Sequence, residues 1–128
     1  MLQRGDLVPH FEVTNLEGDT VSYSTIWQRR NLVLISVPST DPEGTFSPYL
    51  SQLRADGPAV TRDDTEWVIT RDSVAGIPCP GVVVADRWGE ILLIASGSRV
   101  VDLPDPHEVA GWVTYLHHQC PECEGEAR

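Results

Sequence analysis

A run of uncharged, mostly branched apolar residues, Asn31–Val37, limits most strongly what this chain can fold into. A short run of this kind is typical of a strand that is buried on both faces in the middle of an α/β sheet. Pro38 follows the run and lacks the N–H that a β-ladder requires, so the strand is predicted to end there. Functional groups in open α/β folds lie where a strand leads into a helix, so the residues after Val37 are the first place to look for a site.

Patterns on both sides of this strand predict the remaining elements. Alternating residues at 11–14 and 20–23, separated by the turn sequence Asn15–Asp19, predict an N-terminal β-hairpin. Ser24 is a candidate cap for a short helix, Thr25–Arg30, with Ile26 and Trp27 facing inward. The later predictions are a helix from Pro48, at most one or two helical turns within Asp72–Ile77, strands at 67–70, 82–85 and 90–95, and a last helix opened by Asp105 and Pro106.

Length and charge exclude several classes of protein. The chain has 128 residues, which is the size of one domain, and no apolar run approaches the length of a membrane span. The net charge is −10 and all nine basic residues are arginines, which disfavours nucleic acid or anionic lipid as a partner. Residues 1–6 lack the apolar segment of an export signal, so a cytoplasmic location is expected.

The predicted order of hairpin, buried strand, helix, strand, proline-led hairpin and helix resembles the thioredoxin fold. Within that fold, the chain resembles the peroxiredoxin branch, the group of alkyl hydroperoxide reductases and thiol-specific antioxidants. The residues that carry the resemblance are Gly5, Pro9, Phe11, Leu16 and Gly18 in the hairpin, the strand Asn31–Val37, the loop start Ser36–Asp41, and Pro80–Glu90. The resemblance implies an α/β domain over residues 1–119, with a central mixed sheet flanked by helices and an N-terminal β-hairpin, followed by a Cys-x-x-Cys tail at 120–128.

The chain departs from this family at the residue that does the chemistry. The family's loop reads Pro-x-x-x-Thr-x-x-Cys, and when it is aligned from Pro38 its threonine falls on Pro42 and its cysteine on Thr45. The family's activating arginine falls on Pro80, and no cysteine precedes Cys79. A threonine hydroxyl does not reduce peroxide, so the ordinary peroxidase mechanism is not expected. Whether the chain is an enzyme at all stays open at this point.

Cys79 is one candidate for remaining thiol chemistry. The resemblance implies that Pro80 follows a cis peptide bond and lies against the start of the active-site helix, which would bring Cys79 close to Thr45. The positive end of that helix would then stabilise a Cys79 thiolate. The alternative is that Cys79 is a small apolar residue in a half-buried turn.

The tail Cys120-Pro121-Glu122-Cys123 allows three interpretations. The pair can close a redox disulfide, although it follows a helix C-terminus, where the helix dipole disfavours a thiolate. Alternatively, His117, His118, Cys120 and Cys123 offer the donors for one zinc ion, with a homodimer supplying a second ligand pair. The third interpretation is that both thiols are inert.

Two functions of different classes follow from these observations. The first is a peroxiredoxin-like redox protein without the peroxidatic cysteine, which exchanges disulfides with a protein thiol partner through Cys79, Cys120 or Cys123. The second is a non-catalytic interaction module that keeps the fold as a scaffold and carries a zinc-binding or inert tail. No cofactor is expected for the first function, and zinc is the candidate for the second.

Overall fold

The computed structural model describes residues 2–37, 48–49, 51–52, 65–77, 79–97 and 103–117. Residues 48–49 and 51–52 are helical. The remaining elements are, in chain order, β1 (Glu12–Thr14), β2 (Thr20–Ser22), a 3-10 turn (Tyr23–Thr25), β3 (Asn31–Ser36), β4 (Thr65–Thr70), β5 (Gly81–Ala85), β6 (Ile91–Ser96) and α1 (Pro106–His117).

The central sheet has the strand order β4-β3-β5-β6. β3 runs parallel to β4 and antiparallel to β5, and β5 runs antiparallel to β6, so the sheet is mixed. Every residue of β3 is buried, as the uncharged run predicted, because a strand that is paired on both sides and covered on both faces has no route to solvent. β4 begins at Thr65, two residues before the predicted start.

A separate two-stranded sheet forms the predicted N-terminal hairpin, with β1 antiparallel to β2. The side chain of Asn15 builds its turn, because Oδ1 accepts hydrogen bonds from the N–H groups of Glu17, at 3.0 Å, and Asp19, at 2.9 Å. Gly18 adopts a φ of 90°, which side chains with a Cβ rarely tolerate. The prediction of a turn at Asn15–Asp19 is therefore confirmed.

Alternate residues of β3 face two different cores. Leu32 and Leu34 belong to the core beneath the hairpin, whose other buried members include Phe11, Val13, Tyr23, Ile26, Val68, Val83 and Ile91. Val33 and Ile35 belong to the core beneath α1, with Val82, Val84, Leu103, Val109, Val113 and Leu116. The sheet is thus covered by the hairpin on one face and by α1 on the other, which is a layered α/β arrangement.

Residues 2–8 extend the fold along the start of β6. The N–H of Gly5 donates to the carbonyl of Ile91 at 2.8 Å, and the N–H of Ile91 donates to the carbonyl of Asp6 at 2.9 Å. Further along, the N–H of Val8 donates to the carbonyl of Gly89 at 2.9 Å. This segment therefore covers only the first residue of β6.

The segment after β4 is not helical, so none of the at most one or two helical turns predicted within Asp72–Ile77 forms. It forms a tight turn instead, closed by an isolated bridge between Val74 and Ile77. Gly76 explains the difference, since its φ is 80° and its carbonyl accepts a hydrogen bond from the N–H of Leu2 at 3.1 Å. A Cβ at Gly76 would lie only 2.8 Å from Cγ of Leu2, so the close approach of these two segments requires glycine.

The predicted helix Thr25–Arg30 is also wrong in form. Only the 3-10 turn Tyr23–Thr25 is regular, and Ser22 rather than Ser24 precedes it, without a capping bond from its side chain. Ile26 is buried as expected, whereas Trp27 is 38% exposed. Gln28 interrupts any helix, because its φ is 69°.

The last helix agrees with its prediction. Oδ1 of Asp105 accepts a hydrogen bond from the N–H of His107 at 2.8 Å, and α1 begins at Pro106. An acidic cap followed by a proline at the first helical position is a favourable helix start. Across the ranges that the structure describes, no helix is long and apolar enough to cross a membrane.

Candidate functional site

The candidate site lies where the buried strand β3 ends. Ser36, the last residue of β3, pairs with Thr70 of β4 on one side and with Gly81 of β5 on the other. Beyond it, the N–H of Val37 donates to the carbonyl of Thr70 at 2.9 Å. β3 is thus paired on both sides up to its last residue.

Cys79 and Pro80 stand beside this position. The peptide bond between them is cis, and the exposed thiol of Cys79 is free. Pro80 is buried and leads directly into Gly81, the partner of Ser36. The structure therefore places Cys79 at the end of the sheet where β3 terminates, with its sulfur open to solvent. The predicted cis bond is present, and a half-buried Cys79 is not.

A hydrogen-bonded group anchors the hairpin to the same end of the sheet. Oγ1 of Thr70 donates to the carbonyl of Thr14 at 2.7 Å and accepts from the N–H of Asp72 at 3.0 Å. The carboxylate of Asp72 in turn accepts from the N–H of Thr14 at 2.7 Å. The sequence analysis missed this group, because no local pattern links residues so far apart in the chain.

The hydroxyl of Ser36 is the unusual polar group of the site. Ser36 is fully buried, and its Oγ has no hydrogen-bond partner among the residues that the structure describes. It falls on the same face of the sheet as Thr70 and Leu34, which is the face covered by the hairpin. Burying an unpaired hydroxyl costs free energy, so it is a feature that packing alone does not explain.

Tyr49 connects the helical residues 48–49 to the segment that leads into α1. Its hydroxyl donates to the carbonyl of Pro104 at 2.7 Å, just before α1. Burial, reinforced by the negative charges of Asp105 and Glu108, raises the pKa of Tyr49 to about 12. The phenol is therefore protonated at neutral pH and available as the donor of this bond.

Several predicted site residues fall outside the described ranges. These are Pro38, Pro42, Thr45, His118, Cys120 and Cys123. His117 is the last residue of α1. Across the ranges that are described, no group of three or more histidine, cysteine, aspartate or glutamate side chains is placed to hold a metal ion. Among the described residues at this end of the sheet, the free and exposed Cys79 is the candidate nucleophile.

A mixed sheet of order β4-β3-β5-β6, a hairpin on one face, a helix on the other and a cis-proline before β5 define a thioredoxin-like fold. No protein-family model matches the chain, and no curated protein matches it in sequence. The fold prediction is nevertheless confirmed by comparison with solved structures.

These structural neighbours are peroxiredoxins and thiol-disulfide oxidoreductases. A yeast mitochondrial 1-Cys peroxiredoxin superposes with a TM-score of 0.67 at 14% identity, over 91% of this chain and 77% of that chain. A thiol peroxidase from Chromobacterium violaceum gives 0.64 at 11% identity, over 93% and 90%. The thioredoxin domain of a thiol-disulfide oxidoreductase from Bacteroides vulgatus gives 0.57 at 13% identity, over 88% and 99%. The chain is thus peroxiredoxin-like in fold.

Proposed function

We propose that this protein carries out thiol–disulfide exchange through Cys79 and does not reduce peroxides by the peroxiredoxin mechanism. The observation that supports the proposal is the free, exposed thiol next to the cis bond to Pro80, at the end of the central strand. The structural neighbours support the same chemistry, because thiol-disulfide oxidoreductases share this fold.

The proposed exchange has two steps that balance without a cofactor. The Cys79 thiolate attacks one sulfur of a partner's disulfide, a mixed disulfide forms, and the other sulfur leaves as a thiolate that takes up a proton. A second thiol, either on the partner or from a small thiol such as glutathione, then attacks the mixed disulfide. This attack falls on the partner's sulfur, so the attacking thiol and that sulfur form a new disulfide and Cys79 leaves as a thiolate that takes up a proton; one disulfide has been exchanged for another without net oxidation or reduction.

The sequence argues against a peroxidase. No cysteine occurs among residues 1–78, so the loop that follows β3 contains no thiol. Thr45, the residue that aligns with the family's cysteine, carries a hydroxyl whose oxygen is not oxidised by peroxide. We therefore propose that the active-site loop is degenerate and that the remaining reactive sulfur is that of Cys79, just before β5.

The test compares folded and unfolded protein in a background that contains Cys79 as the single cysteine, the double variant Cys120→Ser, Cys123→Ser. Its reaction with oxidised glutathione is followed at pH 7 by intact mass. We expect the mixed disulfide to form about tenfold faster in the folded protein than in urea, because a site that orients the disulfide against the thiol raises the rate. Addition of Cys79→Ser is the matched control and should abolish the mass increase. Equal or slower reaction in the folded state would overturn the proposal.

A second candidate is a non-catalytic interaction module, which the lack of any cysteine before Cys79 favours. In this proposal His117, His118, Cys120 and Cys123 hold one zinc ion, and a homodimer brings two such tails together. Thiolate and imidazole donors suit zinc. Native mass spectrometry before and after a chelator is the test: we expect loss of a zinc mass and dissociation of a dimer. A metal-free monomer that exchanges disulfides rapidly would contradict the module.

A further inference from the structure

An open groove runs between the edge strand β6 and α1, and its lining includes neither Cys79 nor Pro80 of the candidate site. We call it the edge groove, and it is lined by Arg4, Leu92, Glu108, Gly111, Trp112 and Tyr115. Its volume is about 610 Å³. The side chains of Glu108, Trp112 and Tyr115 are spaced by four and three residues, so they form one stripe of α1 that faces the sheet edge.

The edge of β6 along this groove is unpaired. β6 is the last strand in the order β4-β3-β5-β6, and the N-terminal segment bonds only to Ile91 at its start. For Leu92–Ser96, the described residues supply no backbone hydrogen bond from any segment other than β5. An unpaired strand edge is a template for a further strand, and proteins normally cover it or guard it with charge.

The side chains of this edge are apolar and incompletely covered. Leu92, Leu93, Ile94 and Ala95 are all half-buried, whereas the whole of β5 beside them is buried. None of the residues of β6 carries a charge. On the helix side of the groove, Tyr115 is 55% exposed and meets Trp112 edge to face, with ring centroids 6.0 Å apart. Charged residues and proline, two of the usual guards against strand addition, are therefore missing from β6, and a register shift opposite Val84 and Ala85 makes its edge irregular at Leu92.

Arg4 supplies the positive charge of the groove. Its guanidinium carbon lies 5.7 Å from the centre of the Trp112 ring, in a cation–π arrangement. The described residues include no carboxylate in ion-pair distance of Arg4, although the chain has a net charge of −10. Arg30, by contrast, forms an ion pair with Glu66. Glu108, one helical turn before Trp112, also lines the groove and carries a negative charge.

We propose that the edge groove binds an extended segment of a partner protein, which adds to β6 as a further strand. The segment is largely uncharged and apolar, with one acidic side chain that pairs with Arg4 and an aromatic or aliphatic side chain that packs on Trp112 and Tyr115. The β6 backbone supplies affinity, and the groove supplies side-chain specificity. The inference does not depend on the chemistry of Cys79.

Charge selects this occupant over a second copy of the chain. Two copies that paired through β6 would bring two uncharged strands together, with no charged pair between the strands to favour the contact. Two domains of net charge −10 also repel each other. A single carboxylate of the partner pairs with Arg4, and the negative charge of Glu108 disfavours a second carboxylate in the groove.

The test uses two synthetic peptides, acetylated and amidated, of sequences TVEVFVT and TVKVFVT. Binding is followed by isothermal titration and by amide chemical shifts of the full chain. We expect the glutamate peptide to bind at least tenfold more tightly than the lysine peptide, with the largest shifts in β6 and at the indole of Trp112. Arg4→Glu should reverse the preference, an outcome that misfolding cannot produce.

Two further variants separate the groove from the rest of the surface. Gly111→Gln should weaken both peptides at least tenfold, because a Cβ at Gly111 meets nothing within 4 Å and the longer side chain extends into open space, while the helix gains propensity. Arg29→Glu, an exposed charge reversal in the turn before β3, is the matched control and should leave binding unchanged. Equal binding of both peptides, shifts that avoid β6, or a dimer that forms through β6 in sedimentation would each overturn the proposal.

Discussion

β3 and β6 are both six-residue strands of mainly branched apolar residues, yet they have opposite relations to solvent. All of β3 is buried, whereas Ile91 is the one fully covered residue of β6. The cause is their place in the sheet, since β3 has a neighbour on each side and β6 has β5 on one side. Composition thus identifies a strand, and strand order decides whether it becomes the core of the fold or part of its surface.

The comparison extends to what the two strands present at their ends. β3, β4, β5 and β6 meet at one sheet end in the row Thr70, Ser36, Gly81 and Ser96. Thr70 and Ser36 are completely buried there, whereas Ser96 is exposed. The central strands are paired on both sides at this end, whereas for Leu92–Ser96 the described residues supply a backbone partner from β5 alone. The buried end that is paired on both sides and the exposed end therefore belong to different strands of the same sheet.

The largest effect should come from truncating the core of β3. Ile35→Ala is expected to lower the free energy of unfolding by about 2–5 kcal/mol, because a fully buried side chain is replaced by a cavity. Leu93→Ala in β6 should cost about 1 kcal/mol, since part of that side chain is already in contact with water. Urea denaturation of both variants measures the difference. Similar losses would show that the edge strand is as well covered as the centre.

A smaller effect is expected from removing the hydroxyl that anchors the hairpin. Thr70→Val should cost about 1–3 kcal/mol, because the carbonyl of Thr14 and the N–H of Asp72 both lose their partner. Ser96→Ala, in the same row at the exposed edge, should change stability by less than about 0.5 kcal/mol. Thermal unfolding in matched buffers is the measurement. A loss for Ser96→Ala equal to that for Thr70→Val would contradict the distinction between centre and edge.

The smallest effects at neutral pH should come from two tyrosines on opposite faces of the sheet. Tyr49→Phe removes a hydrogen bond to Pro104 and should cost about 1 kcal/mol. The hydroxyl of Tyr23 is buried without a hydrogen-bond partner within the described ranges, so Tyr23→Phe should be neutral or stabilising by up to about 1 kcal/mol. Denaturant titration should rank the variants in this order, and the reverse order would show that the Tyr23 hydroxyl has a stabilising contact.

The same variants predict the response to alkaline pH. Burial, with a smaller contribution from the carboxylate of Asp86, raises the pKa of Tyr23 to about 12, and the pKa of Tyr49 is raised to the same value. The folded state therefore holds these protons more tightly than the unfolded state, where tyrosine titrates near 10. The stabilisation is complete below pH 10 and is lost as the pH rises toward 12. Each Tyr→Phe substitution should flatten this loss, which stability curves between pH 9 and 12 will measure.

Local sequence patterns account for the elements whose cause is local. The apolar run Asn31–Val37 predicted β3, and Asp105 with Pro106 predicted the start of α1, since both signals lie within a few residues. No helical turn forms at Gly76, whose φ of 80° accompanies a close contact with Leu2, and no local window contains that contact. A helix at Thr25–Arg30 failed in the same way, since the N–H of Gln28 bonds to the carbonyl of Arg87.

The candidate site was predictable only in outline. The sequence indicated Cys79 and Pro80 through their resemblance to a family motif, and the structure places them at the end of the sheet. The Thr14, Thr70 and Asp72 group and the edge groove could not be predicted, because each joins residues that are distant in the chain. Arg4 gave no sequence signal, and its contact with Trp112 exists only after β6 and α1 have packed.

The pairing of residues 2–8 has a consequence for the order of events on the ribosome. Their described backbone partners are Gly76, Gly89 and Ile91, which are synthesised long after them. At a translation rate of about 5–20 residues per second, residues 2–8 wait several seconds for these partners. During that time the core beneath the hairpin lacks Ile91, Val83 and Ala85. Residues 2–8 can therefore form these hydrogen bonds only after the chain has been made as far as Ile91.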